Sequence, residues 1–126
     1  MALYTSKLGR ALPYKVITQD DAGITINQNV SGGPCTLHSV TLNNISGSAI
    51  NYVRVTNGDV SSVGGSQAIL SFACDARAHR TLIIPGGLRL NRSLSFWLSS
   101  DTNPQGTNGP LKIASTNKLA VTLVIS

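Results

Sequence analysis

Towards the end of the chain, apolar side chains return at every second residue. In RTLIIPGGLRLNRSLSFWLSSD (residues 80–101), Leu82, Ile84, Leu88, Leu90, Leu94, Phe96 and Leu98 fall on even positions. In the closing KLAVTLVIS, Leu119, Val121, Leu123 and Ile125 fall on odd ones. A helix brings side chains back to one face every 3.6 residues, so a strict period of two buries a single face only in a strand. These segments therefore line one side of a β core.

The same pattern runs through the earlier chain. YKVIT (residues 14–18), ITINQNV (24–30), CTLHSVTLNN (35–44), NYVRVTN (51–57) and QAILSFACD (67–75) read as strands, separated by QDDAG, SGGP, ISGSA and GDVSSVGGS, which carry turn residues. In ITINQNV, Ile24, Ile26 and Val30 share a parity. In NYVRVTN, Val53 and Val55 point inward and Tyr52 and Arg54 outward. Within CTLHSVTLNN the parity switches, because Leu37 is odd and Val40 and Leu42 are even. A β-bulge near His38–Ser39 reconciles them. Pro85-Gly86-Gly87 reads as a sharp turn ending one strand, with GLRL resuming after it. Roughly seven to nine strands at a spacing of about 8–12 residues describe an all-β, antiparallel β-sandwich, jelly-roll-like in winding.

Composition agrees. The 126 residues contain no Glu, and Ser, Thr, Asn, Gly, Val, Ile and Leu dominate, a strand and turn vocabulary. The length suits one domain of about 100–200 residues. Residues 1–14 (MALYTSKLGRALPY) break the pattern. Their apolar residues Leu3, Tyr4, Leu8 and Leu12 do not alternate, and Gly9 and Pro13 limit any helix to about one turn. They read as an extended N-terminal arm, with the sandwich domain at residues 15–126. Leu3, Tyr4, Lys7, Leu8, Arg10 and Leu12 are its candidate contacts with a neighbouring subunit.

Only 12% of residues are charged, about half the usual ~25%. A surface so poor in charge is best buried in an assembly, which points to a homo-oligomer, a trimer among the options. No apolar run approaches the ~18–20 residues that span a bilayer, so no membrane partner is expected. MALYTSKLGR lacks the apolar core of a secretory signal, and Cys35 and Cys74 are expected reduced and buried.

Catalytic chemistry finds little to work with. All five acids are Asp; Asp20 and Asp21 are adjacent and would point to opposite faces of a strand, and Asp59, Asp75 and Asp101 suit turns. Cys35-x-x-His38 and Cys74-x4-His79 offer zinc-type ligands, but the first pair shares a face only through a bulge. DTNPQGTNG has the opening of a calcium loop without its closing acid. No enzyme, metal or cofactor is expected. Arg77, Arg80, Arg89 and Arg92, with His79, form a basic run in a chain of net charge +5. Without interleaved aromatics it suits an acidic protein surface better than nucleic acid. Trp97, opposite in parity to Leu94 and Phe96, has three readings: a second core layer, a subunit interface, or a platform for a sugar.

TLHSVTLNNISGSAINYVRVTN (36–57), LIIPGGLRLNRSLSFWLSSDTN (82–103) and LAVTLVIS (119–126) resemble segments of small β-sandwich virion proteins of tailed bacteriophages. The resemblance spans about residues 36–126. It implies a non-enzymatic structural role as a capsid decoration or cement protein. Such a protein is made in the host cytoplasm, sits on the virion surface, and has the major capsid protein or other virion proteins as partners. A tail, fibre or baseplate module recognising glycans is the alternative it allows; apart from the resemblance, the Cys and His pairs leave a small metal-dependent enzyme as a second alternative.

Overall fold

The computed structural model describes residues 3–7, 14–22, 27–45, 50–59, 68–99 and 119–126. They form eight strands: β1 (Leu3–Lys7), β2 (Lys15–Ala22), β3 (Cys35–Asn43), β4 (Asn51–Asn57), β5 (Leu70–Cys74), β6 (His79–Leu90), β7 (Leu94–Ser99) and β8 (Leu119–Ile125). A five-stranded sheet has the order β1-β2-β8-β3-β6, and a three-stranded sheet the order β5-β4-β7. Every pairing is antiparallel. Residues 27–30 extend the smaller sheet: Asn27 makes an isolated bridge to Phe96, and the Val30 amide donates to the Leu94 carbonyl at 2.8 Å. This is less than the strand expected over 24–30, whose Ile24 and Ile26 lie outside the described residues.

The core lies between the sheets. Leu37, Val40 and Leu42 of β3, with Leu119, Val121, Leu123 and Ile125 of β8, meet Val53 and Val55 of β4 and Leu94, Phe96 and Leu98 of β7. All come from the inward parity that the alternation assigns, and burying each side chain contributes roughly 1.5–3 kcal/mol.

The bulge is where the parity switch places it. Against β8, Leu37 pairs with Ile125 and Ser39 with Val124, so His38 is one extra residue in β3. This lets Leu37 and Val40, three apart, both face the core. On the other side, Leu37 pairs with Leu88 and Ser39 with Ile83, leaving residues 84–87 of β6 opposite His38 alone. The Pro85-Gly86-Gly87 turn is thus corrected. The twelve residues of β6 form one strand along β3, with the glycines in an excursion at φ 78° and 79°.

Residues 3–7 are likewise no free arm. Leu3, Tyr4 and Lys7 belong to β1, the edge strand paired with β2 from Leu3↔Gln19 to Lys7↔Lys15. Backbone pairing needs no alternation of side chains, so unpatterned residues serve at an edge. Leu8, Arg10 and Leu12 lie outside the described residues.

Asn44 fastens the corner where the chain passes between sheets. Its Nδ2 donates to the Cys74 and Asp75 carbonyls, each at 3.0 Å. Its amide donates to the Ala78 carbonyl at 2.8 Å, and its own carbonyl accepts from the Arg77 amide at 2.9 Å. Such buried backbone groups must be paired, and this one side chain and peptide satisfy several at once.

Candidate interaction surface

Alternation gives each sheet an outer face, and the two differ. On the five-stranded sheet the registers Thr18↔Thr122, Thr41↔Thr122 and Thr41↔Thr81 place four threonines in one row across β2, β8, β3 and β6. The Thr41 and Thr81 hydroxyls are 2.9 Å apart and hydrogen-bonded. The adjacent row, Val16, Val124, Ser39 and Ile83, follows from the same pairings. These side chains are half-buried or exposed, and Ile83 is 71% exposed. The face is open, flat in side-chain size, and carries hydroxyl and methyl groups rather than charge.

The ionisable side chains of this face, among the described residues, stand at its margins. Asp20 is exposed beside the inward Gln19, and Arg89 pairs with the outward Thr36 at the diagonally opposite corner. His79 occupies a third corner, opposite Asn43. At the bulge, His38 Nε2 hydrogen-bonds Ser126 Oγ at 2.7 Å, and its ring meets Tyr14 edge-on at 5.0 Å. That cluster ties β3 to β8 and holds no acid to orient the imidazole for catalysis.

On the three-stranded sheet the outer face is covered. Trp97 and Arg54, paired across β7 and β4, are each 1% exposed. Ser95, Ser99 and Thr56 beside them are buried too. The Arg54 guanidinium sits 5.2 Å from the Tyr52 ring centroid, an attraction that helps offset the loss of water around the cation. Among the described residues, exposure returns towards the edges of this sheet, at Ser71 of β5 and at Gln28, while Tyr52 of β4 is half-buried. Within the chain, Trp97 is shielded. It packs away from solvent outside the main core cluster, and it offers neither an exposed interface nor a sugar platform. Arg54 points outward as its parity requires, yet it is not a surface residue.

The arginine run does not form one patch. Arg80 reaches the smaller sheet, its guanidinium 5.4 Å from the Phe72 ring and donating to the Ala73 carbonyl at 3.1 Å. Arg92 lies against Gly58. Arg77 occupies the corner with φ 59°, and Arg89 the margin of the large sheet. All four are exposed, so positive charge rings the edges of the sandwich.

Cys35 and Cys74 are free and buried. Burial pushes both thiols above their ordinary value, with Ser31 and Arg89 pulling Cys35 back and Arg80 pulling Cys74 back. A protonated, enclosed thiol is a poor nucleophile. The two lie on different sheets, and among the described residues no three His, Cys, Asp or Glu side chains converge on a metal-sized site. Among those residues no helix is long and apolar enough to cross a membrane.

The threonine row was missed in the sequence because Thr18, Thr41, Thr81 and Thr122 are far apart and meet only through the pairing registers. Compared with known proteins, the chain matches no family model, no curated protein and no solved structure.

Proposed function

We propose that this chain is a non-enzymatic virion structural protein, a jelly-roll-like sandwich that decorates and cements a shell of major capsid subunits. The observation that carries the reading is the order in which the chain visits its two sheets. It passes from β2 in the large sheet to residues 27–30 beside β7, back to β3, across to β4 and β5, back to β6, across to β7, and home to β8. That alternation supports a jelly-roll-like winding, an architecture found in viral capsid and lectin domains. Because a fold alone assigns no function, the resemblance of residues 36–126 to phage virion proteins selects between these. The burial of Trp97 speaks against the lectin-like alternative.

Attachment in this reading is mechanical. A rigid sandwich contacts several capsid subunits at once, and linked weak contacts raise avidity without any single strong one. The exposed Arg77, Arg80, Arg89 and Arg92 speed docking onto an acidic shell.

The test is cryo-electron microscopy of intact particles from the host that makes this chain, with purified chain added back to particles stripped of it. The expected result is saturable density at repeating positions on the shell. Density confined to the tail, or no binding to any particle, would overturn the proposal.

A further inference from the structure

We infer that the open outer face of the five-stranded sheet is a self-association surface, occupied in solution by the same face of a second copy of this chain. This goes beyond the proposed attachment to a shell and does not depend on it.

Charge selects the occupant. The chain carries a net +5, so contact between two copies through the arginine-bearing edges brings like charges together. From β2 to β6 the threonine row and the row beside it present no ionisable group. At the margins, Asp20 and Arg89 stand at opposite corners with opposite sign. An in-plane two-fold axis perpendicular to the line joining them lays each copy's Asp20 over the other's Arg89. The two-fold contact a homodimer uses is thus the one that pairs these charges.

Chemistry and size agree. The Thr41 and Thr81 hydroxyls already bond one another, so one of their two O–H donors is satisfied before a second copy arrives, and the other is free to bond across the contact. Ile83, 71% exposed on this face, gains from burial. Five strands at about 4.8 Å and the seven residues of β8 at about 3.3 Å give roughly 550 Å² per copy. Two copies then bury about 1,100 Å², the size of a small specific interface, so the dimer is weak and concentration-dependent.

Sedimentation of the full chain from about 1 μM to about 1 mM tests this, a range that brackets interfaces of this size. A shift to dimer mass across the range is expected, and a monomer throughout overturns the inference. Thr122→Lys should weaken the dimer at least about tenfold while circular dichroism stays unchanged. Should that variant fail to fold, Ile83→Lys carries the test, since a side chain so exposed is not needed for folding. A dimer indifferent to the folded lysine variant uses another surface, and that result overturns the claim.

The charge pair gives a sharper arm. Asp20→Arg raises the net charge by two and Arg89→Asp lowers it by two, yet each should weaken the dimer and the double reversal should restore it. Failure of restoration overturns the two-fold arrangement. A chain that stays monomeric but loses attachment to particles as Thr122→Lys would assign the face to a different protein and also overturn self-association.

Discussion

The two outer faces of this sandwich obey the same alternation and end in opposite states. On the large sheet, the residues between core positions are Thr, Ser and Val, and they remain open to water. On the small sheet, the corresponding positions hold Trp97 and Arg54, and they are as buried as the core. Parity therefore decides which face a side chain takes, and side-chain size and chemistry show whether that face is itself covered. A Trp that carries up to about 250 Å² of surface gains from a cover, whereas a threonine row loses little by going without one. The open face is left available for association, and the covered face is committed to the fold.

Trp97 gives the comparison its largest test. Trp97→Ala should cost about 3–5 kcal/mol, the range for a large buried aromatic with its residual cavity. Phe96→Ala on the core side of the same strand should cost a similar amount. Chemical denaturation of both variants checks this. A Trp97→Ala loss below about 0.5 kcal/mol, the behaviour of a surface site, would break the claim that the small sheet is buried on both faces.

The bulge on the large sheet separates strain from crowding. Gly86 and Gly87 have nearly the same φ, 78° and 79°, so alanine at either pays about 1–2 kcal/mol for a left-handed backbone. An added Cβ at Gly86 meets nothing within 4 Å, but at Gly87 it would collide with Thr36 Cγ2 and fall 3.3 Å from the His38 ring. Gly87→Ala should therefore lose about 2–4 kcal/mol, and Gly86→Ala about 1–2 kcal/mol. Equal thermal shifts in the two variants would show that the excursion rearranges freely, and the open face would then lack a fixed edge at β6.

Much of this was legible in the sequence, for a physical reason that the exceptions share. Leu37, Val40 and Leu42 announced the bulge because a core must keep its apolar side chains on one side. The strands β7 and β8 were readable for the same reason. Pro85-Gly86-Gly87 was misread as a turn, although even parity runs through it from Leu82 and Ile84 to Leu88 and Leu90. A reversal and an excursion look alike locally, and only pairing with β3 separates them. The β1 strand left no trace because an edge strand can be held by backbone bonds alone. Arg54 read as surface because a cation is seldom fully buried, and its neighbour across the strands, Trp97, is 43 residues away in the chain. The threonine row needed four registers at once, which no local pattern supplies.

The smallest expected effect lies in that row. Thr81→Val and Thr41→Val each keep a β-branched side chain suited to a strand, and each deletes one partner of the 2.9 Å hydroxyl pair. Water on an open face replaces the lost bond, so each single change should stay within about 0.5 kcal/mol. The double variant removes both partners and leaves no orphan, so the coupling energy should also lie below about 0.5 kcal/mol. Denaturation at about 1 μM, well below the dissociation constant expected for so small an interface, reads the face of the free chain. A single-variant loss above about 1 kcal/mol there would mean that the hydroxyls are shielded from water in the isolated chain. The large sheet would then be covered on both sides like the small one, and the contrast between the faces would fail. If the effect is small at that concentration and grows as the chain is concentrated, the same substitutions are sensing a second copy settling on the row.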